Sequence, residues 1–215
     1  MSGDAEAAGR AVPHERTLVW KFLQAGCRIG TTLLFDLKVY GVRHVPPTGG
    51  ALLISNHQSF LDPILLGVRL LRPMSYMARS GLFKGRFFGW LIRSLNAFPV
   101  RQGEGDVGAI RQTIRRLHEG HLLNIYPEGS RTEDGEIAPI QPGIALILKR
   151  AHVPIVPVVI DGSFAAWPRG KRLFRAHPIR VMYGPPMDLT GRAPKDIIAL
   201  VDETLRKMLQ ELRKR

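Results

Sequence analysis

The sequence is poor in several features, and each scarcity narrows the reading. A single cysteine, Cys27, stands among 215 residues, which excludes an internal disulfide framework and is compatible with a reducing compartment. No stretch reaches the roughly 18 consecutive apolar residues of a spanning helix, because Lys21, Arg28, Asp36 and Lys38 interrupt the most hydrophobic N-terminal segment. Any membrane contact is therefore expected to be peripheral. Acidic residues are scarce too: 18 Asp and Glu face 31 Lys and Arg, a formal net charge of +13. Such an excess points to a polyanionic partner, whether nucleic acid, an anionic membrane surface or a phosphorylated small molecule. With 45% hydrophobic and 23% charged residues, the composition is that of an ordinary globular domain, neither disordered nor a multi-span membrane protein.

Residues 1–16 carry acidic side chains and no apolar core, so they lack the plan of a secretory signal and are expected to be a disordered leader. Residues 17–40 place Val19, Phe22, Leu23, Gly26, Ile29, Leu33 and Leu34 at helical spacing, with Lys21, Gln24, Arg28 and Thr31 on the opposite stripe. An amphipathic helical segment is expected, either lying in a membrane interface or packed on its own domain. Residues 82–93 repeat the theme, with Phe83, Phe87, Trp90 and Leu91 on one helical face beside Lys84, Arg86 and Arg93.

From residue 41 onward short apolar runs alternate with helical stretches. Strands are predicted at 51–55, 74–77, 97–100, 121–126, 154–160 and 179–183, and helices at 63–71, 81–94, 107–119, 143–151 and from 194 to the end. The alternation predicts an α/β layered domain over 41–215, with a largely parallel central sheet flanked by helices. Ligands of such sheets sit beyond the carboxyl ends of the strands. Three predicted strand ends are chemically dense: Ser55-Asn56-His57, Phe98-Pro99-Val100-Arg101 and Tyr126-Pro127-Glu128-Gly129-Ser130-Arg131.

His57 precedes Asp62 by five positions, which on a continuous helix would separate the side chains by about 140°. Pro63 disfavours helical backbone at Asp62 and suits the first helical position, so 57–62 is predicted to be a turn with Asp62 as N-cap. A compact turn brings the carboxylate onto the imidazole, as a general base requires. The spacing equally allows Asp62 to cap its helix and His57 to meet only a loop hydrogen bond. In the later loop, Gly129 permits close backbone approach, Ser130 offers a hydroxyl and Arg131 a planar fork for phosphate or carboxylate. Glu128 is open between pairing with an Arg, bonding a ligand hydroxyl and capping a turn. Arg101 is a second candidate cation for the same phosphate.

Asn56-His57 through Asp62 resembles the N-H-x-x-x-x-D signature of the glycerolipid acyltransferases. Phe98 to Arg101, Tyr126 to Arg131 and Val153 to Val158 resemble that family's later blocks in the same order, over roughly residues 40–190. The resemblance implies a glycerol-3-phosphate acyltransferase-like fold and an acyltransferase acting on 1-acyl-glycerol-3-phosphate, with phosphatidic acid as product. It makes His57 the base that deprotonates an acceptor hydroxyl and Asp62 its orienting carboxylate. Asn56, Arg101, Glu128, Gly129, Ser130 and Arg131 become substrate-binding residues. The hydroxyl then attacks an acyl thioester of coenzyme A or acyl carrier protein in a ternary complex, with no cofactor and no metal. Glycerol-3-phosphate, another lysophospholipid or a lipid amine are alternative acceptors. Ile140-Gln141-Pro142-Gly143 stands where many members carry a basic segment, Tyr126 replaces the usual Phe, and Ser130 the usual Thr.

The donors are acidic, so the tract 169–175 and the basic C-terminal stretch 206–215 are candidate docking patches. A peripheral position on the cytoplasmic face of an anionic membrane is expected. The rival readings are a non-catalytic basic membrane-binding module and a nucleic-acid binder. Against the latter, no helix-turn-helix, zinc-finger or RNP-like pattern is present, and the cations are interleaved with apolar helices. His57, His118 and His121 show no zinc-ligand spacing.

Overall fold

A computed structural model of the protein describes residues 18–94, 97–100 and 107–215. Among these the strands are β1 (Lys38–Tyr40), β2 (Ala51–Ser55), β3 (Met74–Arg79), β4 (Ala97–Val100), β5 (Leu122–Ile125), β6 (Ile155–Asp161) and β7 (Arg180–Tyr183). The helices are α1 (Leu18–Phe35), α2 (Asp62–Gly67), α3 (Arg86–Ser94), α4 (Val107–His118), α5 (Ile144–Ala151), α6 (Ser163–Ala166) and α7 (Pro194–Arg213). The strands form one sheet in the order β1-β7-β6-β2-β5-β3-β4. Every described pairing is parallel except β6 with β7. This is the layered, largely parallel α/β fold that the alternating pattern predicts.

Successive side chains of a strand point to opposite faces, and β2 is buried along its whole length. Leu52 and Ile54 join the core beneath α4, α5 and α7, together with Leu117, Leu148, Val201, Leu205 and Leu212. Ala51 and Leu53 face the other way, into a second core with Phe35, Leu65, Leu66, Val158 and Tyr183. Burial on both faces explains why the strands read as continuous apolar runs. In α7, Pro194 in the first turn and Asp196 beside it start the helix, and Ile197, Val201, Leu205, Leu209 and Leu212 supply its buried stripe.

The N-terminal segment departs from its expected polarity. Residues 38–40, predicted to be helical, form the edge strand β1. In α1 the inward stripe carries Trp20, Gln24, Cys27, Thr31 and Phe35, so that Gln24 and Thr31 of the polar stripe face the domain. Gln24 Nε2 donates to Gly67 O at 3.2 Å and Leu70 O at 2.8 Å, meeting carbonyls at the end of α2. Thr31 Oγ1 donates to Cys27 O at 2.7 Å within its own helix. With those polar groups satisfied, the second apolar stripe faces outward: Phe22 is 76% and Leu33 79% exposed, and Leu18, Ile29 and Leu34 accompany them.

Two predicted helices are shorter than expected. The stretch 63–71 is helical only through Gly67, and 81–94 is broken into a 3-10 turn at Ser80–Phe83 and the helix α3. Phe83 is therefore not on the helical face predicted for it. It is buried, with the Arg93 guanidinium 5.1 Å from its ring centroid, while Trp90 is exposed. Among the described residues no helix is long and apolar enough to cross a membrane.

Candidate active site

The centre of the sheet positions the site. β2 lies between β5 and β6, so the segments that leave the carboxyl ends of these three strands are neighbours. Asn56 and His57 follow β2, Tyr126 follows β5, and Gly162 and Ser163 follow β6.

His57 Nδ1 and Asp62 Oδ2 are 2.8 Å apart. The turn predicted between them forms, but Asp62 does not serve as the N-cap. It is the first residue of α2, Leu61 flanks it, and its carboxylate turns back toward the preceding loop rather than onto the helix. Oδ2 accepts the Gln58 and Ser59 backbone N–H groups at 2.6 and 2.7 Å, and Oδ1 accepts the Ser163 hydroxyl at 2.7 Å. Asp62 is wholly buried. Four acceptor bonds compensate a carboxylate that has left water. Because such a carboxylate only accepts, Nδ1 carries the imidazole proton and Nε2 is left with its lone pair.

Tyr126 lies flat against His57, with ring centroids 3.7 Å apart and planes inclined by 13°. Its hydroxyl is enclosed and has no hydrogen-bond partner among the described residues, and burial raises the phenol well above its ordinary value. Asp62 holds one edge of the imidazole and Tyr126 one face. Between these contacts 18% of the His57 side chain remains exposed.

The backbone of His57 is held as firmly as its ring. Its N–H donates to Glu128 Oε1 at 2.7 Å, and its carbonyl accepts the Thr132 N–H at 2.9 Å. Glu128 Oε2 accepts the Ala138 N–H at 2.8 Å. Of the three roles open to Glu128 from the sequence, the bonds it makes are nearest to the capping of a turn. The side chain is buried and both oxygens clasp backbone, joining the histidine loop to the 136–141 loop. Burial pushes its carboxyl up to about 7, against the opposing pull of the two N–H groups.

Asn56 also turns away from any ligand. Its Nδ2 donates to Ile160 O at 2.9 Å and its Oδ1 accepts Ile160 N–H at 2.8 Å, so the buried amide stitches the end of β2 to β6. In the structure the side chains of Asn56 and Glu128, both expected to bind substrate, bond backbone groups of the protein and so position the histidine loop. Gly129 and Ser130 are exposed at the rim, and Gly129 has φ +76°, a conformation that favours glycine. The Arg131 guanidinium carbon lies 3.5 Å from the Phe60 ring centroid. In place of a basic segment, Gln141 donates its N–H to Pro127 O at 2.8 Å and wraps this turn.

Arg101 lies outside the described residues. The strand before it, β4, is the edge of the sheet, three places from β2; at strand spacing that is about 14 Å from the histidine's strand. The third dense strand end therefore does not adjoin the other two. The C-terminal patch also resolves differently. Arg206 pairs with Asp202 and donates to Ile137 O, and Arg213 pairs with Asp161 and Glu136, so both brace the loop that reaches Glu128. Sequence reasoning missed Ser163 and Gln58. Gln58 Nε2 donates to Gly135 O at 2.7 Å, and its Oε1 accepts from Ser163 Oγ and Phe164 N. Applying the strand-end rule to β6 as well would have found Ser163. Among the described residues no cluster of three or more His, Cys, Asp or Glu is placed to hold a metal.

A buried carboxylate that orients a histidine at the carboxyl edge of the sheet is an arrangement suited to proton transfer. Residues 36–161, more than half of the chain, match the Acyltransferase family model, and the chain belongs to that family. It is accordingly an enzyme, an O-acyltransferase. It is 28% identical to the 1-acyl-sn-glycerol-3-phosphate acyltransferase of Bacillus subtilis (strain 168) over 198 residues, 90% of this chain and 96% of that protein. It is 29% identical to the 1-acyl-sn-glycerol-3-phosphate acyltransferase alpha of Homo sapiens over 184 residues, 82% of this chain and 64% of the human protein. Its structure resembles the crystal structure of the 1-acyl-sn-glycerophosphate (LPA) acyltransferase PlsC from Thermotoga maritima, with a TM-score of 0.77 and 25% identity, over 95% of this chain and 86% of that one.

The clasp at Glu128 has a pH signature. The folded carboxyl releases its proton near 7 and the unfolded one near its ordinary 4.5. Between those values the folded chain holds the extra proton, so stability falls as pH rises through that window. Glu128→Gln should flatten this part of the wild-type stability–pH curve in urea titrations. Glu128→Ala should destabilise at every pH, by about 1–3 kcal/mol for each backbone N–H left unmet. An unchanged slope in Glu128→Gln would show that this carboxyl does not titrate there.

Proposed function

We propose that the protein transfers a fatty acyl group from an acyl thioester, of coenzyme A or acyl carrier protein, to the free hydroxyl of 1-acyl-glycerol-3-phosphate, giving phosphatidic acid for phospholipid synthesis. The observation that carries this reading is the 2.8 Å contact between His57 Nδ1 and the buried Asp62 carboxylate. It leaves Nε2 as the base for the acceptor hydroxyl. The names of the relatives in Bacillus subtilis and Homo sapiens and of the Thermotoga maritima structure support the choice of acceptor.

In the proposed reaction His57 Nε2 takes the hydroxyl proton as the oxygen bonds to the thioester carbonyl carbon. Asp62 stabilises the imidazolium that forms. Collapse of the tetrahedral intermediate breaks the C–S bond, and the imidazolium returns its proton to the departing sulfur. Both substrates are held together, and their alignment supplies much of the advantage. No covalent acyl carrier is invoked. The Ser59 hydroxyl donates to Trp167 O at 2.8 Å, and Cys27 lies on α1, where burial raises its thiol. Neither is suited to nucleophilic attack.

Arg131 is assigned to the acceptor's phosphate, which a planar guanidinium matches by paired hydrogen bonds. Arg101 is assigned the same role from the sequence. Gly129 and Ser130 are assigned to the rim of the acceptor's glycerol. The exposed apolar stripe of α1, flanked by exposed Lys21 and Arg28, suits a peripheral position on an anionic membrane. We place it on the cytoplasmic face, where both donors are found.

His57→Ala should lose turnover by about 10²–10⁴-fold while the protein still binds acceptor lipid, measured by acyl transfer from labelled donors to a panel of acceptors. An undiminished rate would sink the mechanism. Arg131→Ala should raise the KM for the acceptor about 10- to 100-fold, as expected for losing charged hydrogen bonds, and leave the donor KM unchanged. An effect on the donor alone would place the phosphate elsewhere.

A further inference from the structure

Between α6 and β7 the chain leaves the sheet as a built protrusion. Its base is closed by Arg175 N–H donating to Ala166 O at 2.8 Å and Arg175 Nε donating to Ala165 O at 2.6 Å. Its interior is fixed by Trp167 Nε1 donating to Lys171 O at 2.9 Å, and Gly170 turns it with φ +84°. Arg169 pairs with Glu133 at 3.5 Å, and Ser59 Oγ donates to Trp167 O, so the loop is tied to the histidine turn. These bonds hold a tip that points apolar side chains at solvent: Leu173 is 82% and Phe174 47% exposed, beside exposed Lys171 and Arg172.

The loop also completes a row of aromatic contacts. Phe35, at the end of α1, is 5.7 Å from Phe174; Phe174 is 6.0 Å from Trp167; and Trp167 is 5.7 Å from Phe60. Phe60 carries the Arg131 guanidinium on its face. The row therefore runs without interruption from the helix with the outward apolar stripe to the cation at the site. Its acidic neighbours are already matched, Glu133 with Arg169 and Asp36 with Lys38.

We propose that residues 167–175 are a second membrane anchor, seated at headgroup depth in an anionic phospholipid bilayer, and that the aromatic row from Phe35 to Phe60 leads the lyso-lipid headgroup to Arg131. The chemistry of the tip selects this occupant. Aliphatic and aromatic tips ringed by Lys and Arg match the boundary between acyl chains and anionic headgroups, where rings settle and cations meet phosphates. The anchor stands on the loop's own geometry, whereas the route to Arg131 rests on the acyl-transfer reading above.

The test uses the full chain and sedimentation with vesicles of phosphatidylglycerol and phosphatidylcholine, alongside vesicles of phosphatidylcholine alone. L173E/F174E should lower partitioning onto the mixed vesicles by about tenfold or more, as removal of inserted apolar area requires. K171E/R172E should weaken binding on the anionic vesicles only. Leu173, Lys171 and Arg172 are exposed and stand outside the aromatic row, so L173E alone and K171E/R172E should melt close to wild type, which separates anchoring from misfolding. With vesicle-embedded 1-acyl-glycerol-3-phosphate, the apparent KM should rise in L173E/F174E. In L173E, which leaves the aromatic row intact, the rate with a short-chain acceptor dissolved as monomer should stay within about twofold of wild type, because the bilayer term is absent. Unchanged partitioning of L173E/F174E would overturn the anchor, as would loss of self-association without any change in vesicle binding, which would assign the tip to a second copy. Failure of the wild type to acylate either acceptor would refute the acyl-transfer reading while the vesicle result still decides the anchor.

Discussion

Removing the Asp62 carboxylate entirely from water is the constraint around which the loops at the carboxyl edge of the sheet are arranged. A buried carboxylate is costly unless its lone pairs are met. Here they are met by two backbone N–H groups of the preceding turn, the imidazole and the Ser163 hydroxyl. Three of these donors come from the 57–62 turn and the fourth from the segment after β6, and each segment must take a particular conformation. The 57–62 turn must be compact, the chain after β6 must bring Ser163 over the top of β2, and the imidazole must present Nδ1. The order β5-β2-β6 makes this possible, because it places the three strand ends side by side.

A second layer of contacts keeps that arrangement in place. Glu128 and Thr132 hold the two sides of the His57 peptide, Asn56 fixes the strand end to Ile160, and Gln58 ties the turn to Gly135 and Ser163. Arg206 and Arg213 of α7 brace the loop that carries the Ala138 N–H to Glu128. Two of the arginines in the last helix, although exposed, therefore have structural partners. Exposed cations stand next to exposed apolar side chains on α1 and at the tip of the 167–175 loop, and again beside Trp90 at α3, an arrangement expected of a basic protein that meets lipid.

The layered fold and the His57–Asp62 pair were readable in the sequence because both follow from local rules: runs buried on both faces of a sheet, and a proline that ends a turn. The pairing with Ser163 was not, since it spans 101 positions and no local spacing announces it. Glu128 was ambiguous for a related reason. A glutamate after a proline fits several partners, and only the fold decides that its carboxylate accepts two backbone N–H groups. The orientation of α1 stayed open in the sequence because both of its stripes are apolar enough to be inward. Gln24 and Thr31 can be buried when carbonyls of α2 and of the helix itself accept their protons, a compensation that composition does not reveal.

The account's central claim is that Asp62 fixes the proton on Nδ1 and so makes Nε2 of His57 the base. Asp62→Asn tests it most directly, because the amide is nearly isosteric but can donate to Nδ1 and favour the opposite tautomer. The account predicts that single-turnover acyl transfer falls by the order of 10³–10⁴-fold, the scale seen when an orienting carboxylate is neutralised, with acceptor binding retained. A rate within a few-fold of wild type would contradict it.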